Sequence, residues 1–131
     1  MKLKYLALSI VLLFTSALID SDIQDSKTDL LCKEKWYVKY IEANGNKQTP
    51  PPGQVDEMWM NFLKDGNHEV NSNNRIQKGK WAFTKNKDSI TFTTEKGELK
   101  KTKIETLNKK ELNLKLADQG QVITIHLERK E

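Results

Sequence analysis

The sequence predicts an all-β domain, a single antiparallel up-and-down β-barrel of about eight strands after a cleaved signal peptide. Three observations predict it. From Trp36 onward, apolar residues recur at every second position rather than every third or fourth. Turn signals follow one another at intervals of about 8–12 residues, the spacing of sandwiches and barrels. No helical period of about 10–15 residues interrupts them, which disfavours a parallel α/β sheet.

The first element is a leader. Lys2 and Lys4 form a basic n-region, Leu6 to Phe14 an apolar run, and Thr15-Ser16-Ala17 a small-residue cleavage site. Residues 1–17 are therefore expected to be removed, and the protein to be periplasmic or secreted. The apolar run ends by Ile19, short of the roughly 20 residues a spanning helix needs, so no stable membrane span is expected after cleavage. Loss of Lys2 and Lys4 lowers the net charge from +4 to +2. A nearly balanced exported domain gives no support to a nucleic-acid partner.

A polar segment, residues 18–29, separates the leader from the folded domain, residues 30–131. Its Asp and Ser residues before Leu30 and Leu31 predict one helical turn. The single cysteine, Cys32, cannot form an internal disulfide. It also stands too far beyond the apolar run to be an acylated lipoprotein cysteine, and is expected to pack as a small apolar residue.

The strands follow in order. "KWYVKYIE" alternates, with Trp36, Val38 and Tyr40 on one face. Residues 42–57 hold all three prolines and read as one long loop. "EMWMNFLKDG" is a strand closing on the hairpin signal Asp65-Gly66, and "NHEVNSNN" a shorter strand. Residues 79–98 read as two strands joined at "KNKD", and residues 98–130 as three more that turn at "NKK" and "DQGQ". Consecutive hairpins make a meander, and a meander of this length avoids exposed edges most simply by closing on itself. The lysines between Lys96 and Lys115 interleave with Glu98, Glu105 and Glu111 and read as a solvated outer face.

This layout resembles the small lipocalin-like domains of exported bacterial proteins, over roughly residues 30–129. The resemblance rests on the turn "TDLLCKEKW", the first-strand "KWYVKY" where lipocalins place a Trp at the closed end, and the long loop after it. "MNFLKDG" and "KGKWAFTKNKDSITF" resemble the mid-domain hairpins, and Arg129 the late basic residue that packs across the first Trp. Glu34 stands where the lipocalin motif has Gly. The resemblance implies that Trp36 faces inward. The inward set then includes Tyr40, Met58, Met60, Phe62, Trp81, Phe83, Phe92, Leu114 and Ile125, the candidate ligand-binding residues.

Such a lining suits a small hydrophobic ligand. It suits a barrel filled by its own side chains as well, since an eight-stranded barrel has room for either, and a filled or nearly filled interior is the expectation. The alternative function is a protein-interaction module acting through loop 44–57, where Pro50-Pro51-Pro52 is stiff and extended. Trp59 belongs on the face opposite Met58 and Met60. Catalysis is not expected. His68 and His126 lack metal-ligand spacing, and no nucleophile elbow or phosphate-binding glycine loop occurs, so no metal or cofactor is expected either. A monomer is the expected state.

Overall fold

The computed structural model describes residues 26–130. The expected signal peptide and the start of the polar segment lie outside these residues. The chain divides into two compact units between Leu30 and Leu31. Of the first, residues 26–30 are described and are helical, and helical geometry continues to residue 32 in the second.

The second unit is all-β. Its strands are β1 (Trp36–Ala43), β2 (Asn46–Gln48), β3 (Met58–Phe62), β4 (Asn67–Ser72), β5 (Arg75–Phe83), β6 (Ser89–Thr94), β7 (Leu99–Leu107), β8 (Glu111–Asp118) and β9 (Gln121–Glu128). Every pairing is antiparallel, and each strand from β3 onward pairs with the next in sequence. β1 pairs with both β3 and β9, which closes eight strands into a barrel. The up-and-down barrel expected from the sequence is present.

The ninth strand is a correction to the loop expected at residues 42–57. Asn44 and Gly45 both take positive φ, 53° and 80°, and form the two-residue hairpin that Asn-Gly favours. β2 then pairs back on Ile41–Ala43 before the prolines begin at Pro50. The prolines forbid a continuing ladder, so β2 stops after three residues and a 3₁₀ segment, Pro52–Glu57, leads into β3. β5 also starts earlier than expected, at Arg75. Asn73 and Asn74 both take positive φ and fold the chain straight back on β4, pairing Ser72 with Arg75.

The end of the barrel that carries Trp36 is packed solid. Trp36, Leu31, Phe62, Ile90, Leu112 and Leu127 are fully buried there. The two inward indoles each find a carbonyl, as buried indoles require: Trp36 Nε1 donates to Leu31 O (3.0 Å) and Trp81 Nε1 to Leu63 O (2.8 Å). Phe62 meets Trp81 edge-on at 5.7 Å. The Arg129 guanidinium lies 3.9 Å from the centre of the Trp36 ring, the contact implied by the resemblance, and its amide donates to Lys110 O. Cys32 is half-buried against this cluster.

Two β-bulges set which residues face inward. In β1 the pairing with β9 runs Val38–Leu127, Tyr40–His126, Ile41–Ile125, so one extra residue lies between Val38 and Tyr40. In β7 an extra residue lies between Ile104 and Thr106, which brings Leu107 inward opposite Leu112.

Candidate functional site

Toward the other end, the one that carries the turns at residues 44–45, 73–74, 95–98 and 119–120, the interior is not filled. A pocket of about 480 Å³ opens there. Its apolar wall comes from Met60 on β3, Val70 on β4, Phe92 on β6, Leu114 and Leu116 on β8, and Ile125 on β9. Its more polar wall comes from Gln77, Thr94, Lys100 and Thr102, with Lys78, Glu95, Lys96 and Glu98 at the mouth.

The pocket gathers four of the nine candidate residues: Met60, Phe92, Leu114 and Ile125. Phe62, Trp81 and Phe83 belong to the packed end instead. Phe62 touches the lining from below, with its ring 5.0 Å from His68 and 5.8 Å from Phe92. Trp81 and Phe83 meet edge-on at 5.2 Å. Met58 is half-buried against the core and does not line the pocket. Tyr40 is corrected: the bulge before it reverses the alternation, so Ile41 takes the inward position and Tyr40 the outer one. There it stacks on His126 at 4.1 Å, with Lys47 Nζ 3.8 Å from its ring centre. Trp59 is on the outer face as expected, between Tyr37 and Asn71, and is covered by Lys35 at 4.0 Å.

Two pocket features were missed from the sequence. The first is Gly79. It pairs with His68 and Thr94, which places it on the inner face where a side chain would occupy the pocket. A Cβ there would collide with the Thr93 carbonyl oxygen, a backbone atom that cannot swing aside. Gly79→Ala is therefore expected to destabilise the fold by about 1–3 kcal/mol, the usual range for overpacking. A urea midpoint unchanged from the wild type would mean that β5 moves off β6 at no cost.

The second is His68. Its signal was present: period two from Val70 puts it inward, and the Asp65-Gly66 hairpin sets it opposite Phe62. Only 7% of it is exposed, and Nε2 is buried without a hydrogen-bond partner. Burial between Phe62 and Phe92 disfavours the imidazolium and lowers its pKa from 6.5 to about 4. The unfolded chain therefore binds a proton between pH 6.5 and 4 that the folded chain does not. Stability from this group is complete above about pH 6.5 and falls as pH drops toward 4, by up to about 3 kcal/mol. His68→Leu is expected to flatten this slope of unfolding free energy against pH. A slope equal to that of the wild type would place the titration elsewhere.

Asp65 and Asp88 have lowered pKa values through hydrogen bonds, to Asn67 and to Thr84 respectively. Their effects therefore fall below pH 3.8, outside the His68 window. Among the described residues, no group of three His, Cys, Asp or Glu side chains is arranged to hold a metal ion. No helix among them is long and apolar enough to cross a membrane.

The closed meander, the Trp-plugged end and the pocket at the other end define a lipocalin-like barrel. A solved lipocalin-like protein from Bacteroides uniformis superimposes with a TM-score of 0.56 at 14% sequence identity, covering 77% of this chain and 99% of that one. No protein-family model matches the chain, and no curated protein does.

Proposed function

We propose that this protein is an exported binding domain that holds a small hydrophobic molecule in the open half of its barrel. The observation that carries this reading is the pocket of about 480 Å³, walled by Met60, Val70, Phe92, Leu114, Leu116 and Ile125. A mostly apolar concave site with a few polar groups is the usual form of a small-molecule site. Export rests on the leader pattern of residues 1–17. The role is carriage or sequestration rather than catalysis.

The test is titration with the neutral fluorescent probe N-phenyl-1-naphthylamine, paired with native mass spectrometry. Saturable 1:1 fluorescence enhancement, or a retained mass lost on denaturation, is the expected result. An absence of saturable binding by either method overturns the reading.

A second reading, a protein partner docking on loop 44–57, is favoured by Val55, which is 47% exposed on the 3₁₀ segment that begins at Pro52 and ends the extended run expected of the three prolines. Replacement of the three prolines by Gly-Ser-Gly separates the two. It leaves probe affinity unchanged if the pocket is the site, and abolishes partner capture if the loop is.

A further inference from the structure

The lysines of β7 are all exposed but do not share one face of the sheet. Lys101 and Lys103 pair with Thr91 and Ser89 and take outer positions, whereas Lys100 pairs with Phe92, a core residue. Directly opposed residues of an antiparallel pair share a face, so Lys100 is an inner-face residue. It lines the pocket mouth two positions above Thr102, whose hydroxyl donates to Ile90 O. β7 lies between β6 and β8, so this lysine is not protecting a free sheet edge. An inward cation at the brim of an apolar cavity needs a different explanation.

The neighbouring charges sharpen it. Lys78 and Lys96 line the same mouth, together with Glu95 and Glu98. The Glu95 carboxylate accepts the Lys78 amide at 3.2 Å within this mouth, where three lysines stand against two glutamates. Glu98 remains near the brim, its amide held by Thr94 Oγ1 at 3.1 Å. On the neighbouring strands β8 and β9, Leu114, Leu116 and Ile125 offer only hydrocarbon. The interior suits a chain and the brim suits an anion.

We infer that the ligand is an anionic amphiphile: an apolar chain carrying one acidic headgroup, inserted chain first, with the headgroup at Lys100. The inference rests on the pocket reading above. An exposed lysine on the inner face of the mouth can lay its aliphatic stem along the wall and keep its ammonium at the water boundary. A headgroup there keeps its hydration on one side and gains the lysine on the other. A neutral head of the same chain length gains no such charge pairing.

The experiment is displacement of N-phenyl-1-naphthylamine by dodecanoate, dodecyl phosphate and dodecan-1-ol, using wild type, Lys100→Gln, Lys100→Arg and Glu98→Gln. The expected result is that at least one acid displaces the probe about fivefold more tightly than the alcohol, the strength of a partly exposed ion pair. The comparison of carboxylate with phosphate shows which headgroup is preferred. Lys100→Gln removes the preference for the acid, Lys100→Arg keeps it and Glu98→Gln raises it. Added salt weakens acid binding and leaves alcohol binding alone. Equal displacement by acid and alcohol, or a preference for the acid that survives Lys100→Gln, overturns the inference. So does probe binding that none of the three displaces, although the pocket reading then stands. No probe binding at all is instead a failure of that reading.

Discussion

Trp36→Ala is expected to lower the unfolding free energy by about 3–5 kcal/mol, the range for truncating a buried aromatic residue. Three losses coincide at this site. The indole is completely buried at the packed end, so its removal opens a cavity among Leu31, Phe62, Leu112 and Leu127. The Leu31 carbonyl loses the indole N–H that it accepts at 3.0 Å, and a buried acceptor left unpaired costs about 1–3 kcal/mol. The Arg129 guanidinium loses the ring it covers at 3.9 Å, a contact of about 0.5–2 kcal/mol. These losses share partners and do not simply add. Even the lower figure is a large part of the total stability of roughly 5–15 kcal/mol common to small domains. Urea denaturation followed by the fluorescence of Trp59 and Trp81 measures it. Trp36→Phe keeps one aromatic ring but loses the N–H and part of the indole's volume, so it is expected to fall between wild type and alanine. A loss below about 1 kcal/mol for alanine would mean that the packed end does not depend on its plug.

Leu116→Trp is expected to weaken N-phenyl-1-naphthylamine binding at least tenfold, a difference of about 1.4 kcal/mol or more. Leu116 is half-buried on the pocket wall, opposite Ile123 on the neighbouring strand, so an indole there projects into empty space rather than into packed atoms. The sign of the stability change makes the test discriminating. Filling a cavity stabilises a protein by about 0.5–2 kcal/mol, whereas overpacking a dense core destabilises it by a similar amount. The variant is thus expected to be at least as stable as wild type and unable to bind. Unchanged affinity in a folded variant would place the probe outside the barrel. Lower stability would mean that the interior near Leu116 is already full.

The architecture was largely legible in the sequence because its signals are local. Alternation marks a strand, and Asn-Gly, Asp-Gly and Asn-Asn mark tight turns through the positive φ that these residues tolerate. Up-and-down closure then follows, because each strand lies beside the one a short turn away. Two local signals were misweighted: Asn44-Gly45, overshadowed by prolines that begin five residues later, and Asn73-Asn74, read as the end of a strand. The pocket was only half legible. Met60, Phe92, Leu114 and Ile125 are apolar members of unbroken alternations, so their inward placement needed no knowledge of neighbours. Tyr40 was lost to a bulge, which is a property of the β1–β9 pairing and leaves little trace in β1 alone. His68 was passed over because it was weighed only as a metal ligand, and Lys100 because the lysines from Lys96 to Lys115 were read together as a solvated outer face. Register, read across from Phe62 and Phe92, places both inside.

The sequence by itself determined the eight barrel strands, most of the turns between them, the meander that closes, and Trp36 as the residue that plugs one end, but not the short β2. Only the tertiary structure decided that one half of the barrel is solid and the other hollow. The reason is physical. Alternation along a strand depends on the backbone of that strand alone. An empty volume is set by the sizes of side chains that meet from β3, β4, β5, β6, β7, β8 and β9, and by the missing one at Gly79. No single strand carries that sum.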